Sequence, residues 1–339
     1  LPVLLGNIEG KCVIMKRKLN KYFIFGIVML LAMLTFSACK DKNKGKENKV
    51  DEGKMNVVAT IFPEYDFLRQ IAGDHINLTM LLKPGAESHS FEPTPKDIKN
   101  IEHANLLVYV GGDSDSWVES ILESIDTTDT KIVTLMDCVD LVEEETVEGM
   151  TPEAEEAGDG EEEVEYDEHV WTSPKNAIVI VQKLCDALCE IDPANKEDYI
   201  RNTNDYTKKL ENLGQEFKEV VDTAKRKEII VGDRFPFRYL VEEYGLTYYA
   251  AFPGCSTDTE ANAATIAFLT DKVKEDAIPV VFHIELSNGK ICDSICEETG
   301  TKSEQLNAVH NVTKEDFEAG ITYLDMMEHN VQVLKEALN

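Results

Sequence analysis

The sequence predicts an α/β protein of two lobes, each with a central parallel-rich sheet, joined by one long rigid helix. Three observations carry this expectation. Short β-branched runs alternate with stretches of helical spacing, and they do so in two separate series, which is the signature of strands packed in a largely parallel sheet. A sustained helical pattern from Lys196 to about Ala224 lies between the two series. A chain of 339 residues with 43% hydrophobic content is also large enough to bury two domains.

The first series opens with a strand at Asn56–Ile61, a helix at Pro63–Ala72 and a second strand at Ile76–Leu82. A helix at Pro95–His103 follows, then a buried strand at Leu106–Val110 that stops at Gly111-Gly112. Trp117–Ile125 has helical spacing and Lys131–Leu135 is a strand. From Glu143 to Glu168 about half of the residues are acidic and none is Lys or Arg. Like charges at that density resist folding. Such a segment exceeds the roughly 15 residues of ordinary connections, so it is either a functional loop or a disordered insertion. Asn176–Cys189 is helical. The linking helix then places Tyr199, Tyr206, Leu210, Leu213, Phe217, Val220 and Val221 on one face, and at 1.5 Å per residue it spans roughly 40 Å. The second series runs strand Ile229–Val231, helix Phe237–Tyr244, strand Thr247–Ala250, helix Asn262–Glu275, strand Pro279–His283, helix Ser287–Thr299 and strand Gln305–Val309. A helix from about Glu318 to Leu338 closes it. The expected lobes are 56–195, with the acidic loop 143–168, and 225–339, with 196–224 between them.

The N-terminal segment predicts export. Residues 1–14 carry no targeting logic and precede a better start at Met15. Lys16, Arg17, Lys18 and Lys21 form a positive region, Tyr22–Met33 an apolar one, and small residues lead to Cys39. This is the pattern of a secretory signal at 15–38, with a lipobox-like end that makes Cys39 the lipidated first residue of the mature chain. The apolar run falls short of the roughly 20 residues of a membrane span. Residues 39–55 are polar and charged and predict a flexible tether, which places the folded part on the extracytoplasmic face of the membrane. The net charge of −30 excludes nucleic acid as a partner, whereas an acidic surface concentrates cations. Cys185/Cys189 and Cys292/Cys296 sit four apart in helical patterns, a spacing that seldom meets disulfide geometry within one helix. Free thiols are expected.

The chemistry lies with the seven histidines, since neutral imidazole is a common ligand of borderline metals. His89 lies in a turn after a strand, His169 at the end of the acidic loop, and His310 directly after the strand Gln305–Val309. Ligands in open α/β folds gather at the carboxyl ends of strands, and all three positions suit that rule. His75, His103 and His329 sit among ordinary polar neighbours and are given no role.

The segments GAESHSFEPTPKD (Gly85–Asp97), ANLLVYVGGDSDSW (Ala104–Trp117) and DEHVWTSPKN (Asp167–Asn176) resemble those of the cluster A-I metal-binding lipoproteins, the solute-binding components of zinc and manganese ABC importers. YLVEEYGL (Tyr239–Leu246) and TYLDMMEHN (Thr322–Asn330) extend the resemblance to the whole exported domain, and the zinc-uptake type is the most similar. The resemblance implies two α/β lobes with the metal in the cleft between them. It also implies a monomer that passes Zn2+ to an importer permease, with the family's first two histidine ligands at His89 and His169. Its third histidine falls on Arg234, which is cationic at every relevant pH and cannot ligate. Two expectations follow: Asp233 next door substitutes as the ligand, or Arg234 forms a structural ion pair with Glu260 or Glu285. The last family ligand falls near His310-Asn311, which makes His310 the third expected imidazole. Asp233, Glu285, His283 or water remains for the fourth position. Three imidazoles and one oxygen suit tetrahedral zinc, whereas Mn2+, the lesser alternative, prefers more carboxylates. No enzyme is expected, because HExxH and Gly-x-Ser-x-Gly motifs are absent from the sequence. A zinc metallohydrolase and an adhesin-type surface lipoprotein are the rival readings.

Overall fold

The computed structural model describes residues 53–88, 91–150, 164–256 and 261–339. The expected signal peptide, Cys39, nearly all of the tether, His89, Glu260 and residues 151–163 of the acidic loop lie outside the described residues.

Two four-stranded parallel sheets form the frame. In the first, β1 (Met55–Ala59), β2 (Ile76–Met80), β3 (Leu106–Tyr109) and β4 (Lys131–Thr134) lie in the order β2-β1-β3-β4. In the second, β5 (Glu228–Arg234), β6 (Thr247–Phe252), β7 (Val280–His283) and β8 (Lys302–Gln305) lie in the order β6-β5-β7-β8. The first-lobe helices are α1 (Phe62–Ala72), α2 (Pro95–Glu102), α3 (Ser116–Leu122) and α4 (Pro174–Ile191). Next comes the 27-residue α5 (Lys196–Asp222), then α6 (Arg238–Tyr244), α7 (Ala263–Glu275) and α8 (Lys290–Thr299). The predicted order of strands and helices is the observed one as far as α8.

Two predicted elements differ near the C-terminus. The expected strand Gln305–Val309 is displaced to Lys302–Gln305. Beyond it the N–H groups are already engaged: Asn307 donates to the Asn330 side chain at 2.8 Å, and Ala308 and His310 donate to the Glu285 carboxylate at 2.6 and 2.9 Å. Val309 has φ 65°, a left-handed conformation that a β-branched residue rarely adopts and that ends the extended run. The single closing helix is two, α9 (Lys314–Ala319) and α10 (Tyr323–Ala337), separated at Gly320 with φ 81°. Thr322 then caps α10 by accepting from Asp325 N.

The amphipathic stripe of α5 is buried as its spacing predicts, from Tyr199 to Val221. Tyr206 packs beside Phe67 of α1, and Phe217 stacks on Tyr244 of α6 at 5.5 Å, so one helix serves both lobes. The N-terminus of α10 returns to the first lobe. Asp66 accepts from Tyr323 N at 2.7 Å, Arg69 donates to the Ile321 carbonyl at 2.7 Å, and the Phe67 and Tyr323 rings meet at 4.8 Å. One apolar cluster therefore runs from β1 through Trp171, Tyr206 and Tyr323 to β5 and β7. Asp66 is fully buried and is also paired with Arg69. Asp66→Ala is expected to lower the unfolding free energy by about 2 kcal/mol in urea titration, the scale of a hydrogen bond to a charged group.

Candidate metal centre

Beyond the carboxyl ends of β1 and β3 lies a small cavity of about 30 Å³, to which the second lobe contributes His310. A water-sized guest needs roughly 10–15 Å³, so one ion or one water fits. Its wall includes Ser88, Ser114, Asp115, Glu168, His169 and His310. A larger groove of about 730 Å³, lined in part by Asp137–Asp140, Lys175 and Glu242, has no imidazole in its lining.

His169 sits at the mouth of the acidic loop, and the loop's stem is ordered. Glu143 pairs with Tyr166 in an antiparallel bridge, and Asp167 N donates to the Val142 carbonyl at 2.9 Å. The Tyr239 hydroxyl on α6 donates to the Asp167 carbonyl at 2.7 Å, and Arg238 lies 3.2 Å from Glu145. The stem thus holds Asp167 beneath the His169 ring. The Asp167 carboxylate accepts from His169 N at 2.8 Å and faces ring Nδ1 at 3.1 Å. An acceptor there keeps the proton on Nδ1 and makes Nε2 the basic nitrogen of the ring. Burial disfavours the charged imidazole, but Asp167, Glu168 and Glu144 outweigh it and raise the His169 pKa. Gly254 is required by close approach: a Cβ there would lie 3.0 Å from the Asp167 carboxylate and 3.1 Å from His169 Cε1.

His310 hangs on the strained loop beyond β8, five residues past the strand rather than directly after it. Glu285 holds that loop through its two N–H acceptor contacts and lies 3.7 Å from His310 Nδ1. Trp171 Nε1 donates to the Ala308 carbonyl at 2.7 Å, and its ring meets both His169 and His310 at 5.4 Å. The His169 and His310 rings are 4.7 Å apart, edge to face. Among the described residues no three His, Cys, Asp or Glu side chains form a metal-holding group.

The other expected residues fall elsewhere. Arg234 pairs with Glu87 at 3.3 Å, not with Glu285, whose carboxylate is committed to the His310 loop. Asp233 accepts from Arg234 N, and His283 Nδ1 faces the Ile284 carbonyl; neither lines the cavity. His75 pairs with Asp198, and His329 meets the Gln305 carbonyl. The six described cysteines are free thiols, with Cys185 and Cys189 Sγ 3.9 Å apart. Sequence reasoning passed over Asp167, Trp171 and the anchoring role of Glu285. Asp167, two residues before a candidate ligand, was the one with a legible signal, because ligating histidines commonly lean on a carboxylate.

Two carboxyl groups beside the cavity are held toward neutrality. Burial pushes Asp115 up to about 6 and Glu285 up to about 7, against the opposing effect of backbone N–H donors. A carboxyl with a raised folded pKa binds its proton more tightly in the native state, so stability rises as pH falls through that value. The raised His169 pKa acts in the same direction. The metal-free protein is therefore expected to be more stable near pH 5.5 than near pH 7.5, on the order of 2 kcal/mol. Urea unfolding at the two pH values measures the difference.

Comparison with known proteins identifies the family. Residues 57–337 match the family model of ZnuA, the periplasmic zinc-uptake complex component A. The chain is 34% identical over 314 residues to the high-affinity zinc uptake system protein ZnuA of Bacillus subtilis, covering 92% of this chain and 96% of that one. It is 33% identical over 308 residues to the zinc-binding lipoprotein AdcA of Streptococcus pneumoniae, covering 90% of this chain but spanning only 59% of AdcA. Among solved structures, the Zn(II)-bound ZnuA-like domain of S. pneumoniae AdcA aligns with a TM-score of 0.69 at 31% identity, over 84% of this chain and 99% of that one. The metal-dependent lipoprotein YcdH of B. subtilis aligns with a TM-score of 0.71 at 33% identity, over 84% of this chain and all of the other. A parallel two-sheet frame, a cavity where the strands end and a match across nearly the whole folded part together place this chain in the ZnuA family of zinc-uptake components.

Proposed function

We propose that the protein is a lipid-anchored extracytoplasmic binding protein that captures Zn2+ between its lobes and passes it to the permease of an ABC-type importer. The observation that carries this reading is the approach of His169 and His310 to 4.7 Å, from chain segments far apart in sequence, on the wall of one cavity. Rings that close can both reach an ion at Zn–N distances near 2.0–2.1 Å. His89 is proposed as the third imidazole. It follows Ser88, which lines the same cavity. Zn2+ is the cargo, and Mn2+ is expected to bind more weakly to a nitrogen-rich set. In this reading residues 15–38 are the signal peptide, Cys39 carries the lipid and 39–55 is the tether. The lobes are 56–195 and 225–339, with 196–224 linking them, in a monomer that binds and does not catalyse.

Each residue has a part in capture. Asp167 fixes the His169 tautomer, Glu285 and Trp171 fix the His310 loop, and the buried surroundings exclude bulk water. Metal analysis of the purified protein, followed by competition with a chromophoric zinc chelator, tests the reading. One zinc per chain, displacing added manganese, is the expected result; a chain with no affinity for either ion defeats it. Asp167→Asn preserves the shape but weakens the acceptor facing Nδ1. Its zinc affinity is expected to fall about 10–100-fold, the usual cost of losing an outer-shell partner.

A further inference from the structure

We propose that the ion pair between Arg234 and Glu87 is a brace across the two lobes that sets how fast a cation leaves the cavity, a role that rests on the zinc reading above. Arg234 ends β5 in the second lobe, and Glu87 lies on the first-lobe loop that follows β2. Both Nη1 and Nη2 lie 3.3 Å from Glu87 Oε1, and Nη1 also donates to the Ser256 carbonyl at 3.3 Å. The arginine side chain is only 11% exposed, whereas that of Glu87 is 44% exposed. The guanidinium is therefore fixed by its own lobe, and the carboxylate comes to it.

The next residue, Ser88, is part of the cavity wall with His169 and His310. The second lobe holds this loop at another point as well. Asn311, almost fully buried, donates to the carbonyls of Lys83 at 2.7 Å and Ala86 at 2.9 Å, and Gly85 N donates to the Val312 carbonyl at 2.8 Å. That inner hold is shielded from solvent. The outer hold is a charge pair open to salt, and it is the one adjoining the Ser88 wall. In this proposal release of an ion past that wall follows the hold that salt can reach.

A brace and a simple charge effect differ in sign. If the two residues acted only through their charges, removing the arginine would take away repulsion and slow the loss of a cation. Removing the glutamate would take away attraction and speed it. If they act as a brace, losing either partner loosens the wall and speeds release.

The test follows zinc release from the full chain into excess chromophoric chelator by stopped flow. The proteins are wild type, Arg234→Ala, Glu87→Gln and the charge-swapped double variant Glu87→Arg/Arg234→Glu. Both single variants are expected to release zinc about three- to fivefold faster, the scale of a partly exposed ion pair. The double variant is expected to return toward the wild-type rate. Added salt should quicken wild-type release and leave the single variants nearly unchanged. Slower release from Arg234→Ala, or a double variant as fast as the singles, overturns the brace. If the wild-type chain takes up no zinc, the zinc reading fails separately, and amide exchange at Glu87 and Ser88 then decides the brace. Faster exchange in Arg234→Ala supports it, and unchanged exchange refutes it.

Discussion

His169→Ala is expected to weaken zinc binding by about 100-fold or more, and His310→Ala by a comparable factor. Loss of an outer-shell partner alone costs about 10–100-fold, and loss of the imidazole removes both the ligand and the point at which that partner acts. The two rings lie in one cavity, so the double variant is expected to cost less than the product of the single losses, as coupled neighbours do. Chelator competition at neutral pH gives the constants, and urea unfolding of the metal-free variants separates affinity from folding. His283→Ala, at a residue that does not line the cavity, is the control and should bind zinc like the wild type. If His310→Ala also kept its affinity, the ion would be held without the loop beyond β8 and the proposed ligand set would be wrong.

Trp171→Ala is expected to destabilise the protein by about 3–5 kcal/mol, the usual cost of deleting a large buried aromatic side chain. Trp171 is 2% exposed and belongs to the apolar cluster shared by the two sheets. Its indole N–H is also the donor to the Ala308 carbonyl, two residues before His310. The substitution therefore reaches stability and the site together. Trp171→Phe distinguishes the two effects. It keeps most of the ring but leaves the Ala308 carbonyl without its donor, at a cost of about 1–3 kcal/mol. Zinc affinity should fall in both variants, because the loop that presents His310 carries a left-handed Val309 and needs its outside contacts to hold that form.

Local signals made most of the frame legible. Alternating β-branched runs and helical spacing gave every strand of the first sheet, and the buried stripe of α5 followed directly from its 3- and 4-residue intervals. The misplaced β8 shows where such signals end. Gln305–Val309 looks like a strand by composition, but after Leu306 the N–H groups of Asn307 and Ala308 are taken by Asn330 and Glu285, side chains from distant segments that no local pattern reveals. The site divides in the same way. Residue type and position single out His169 and His310, and their rings lie 4.7 Å apart; their role as ligands is the proposal made above. Glu285 was read as a ligand or an arginine partner because sequence shows a carboxylate but not where it points. Arg234 pairs with Glu87, on the opposite lobe, a partner no local pattern reveals, while Glu260 lies outside the described residues.

The unbroken apolar cluster has a consequence for how the molecule would come apart. Phe67, Trp171, Tyr206, Phe217 and Tyr323 interlock across the midline, so a half expressed alone would present their greasy faces to solvent and clump. Severed halves should become soluble only when made together, and heat should melt the intact chain in a single step.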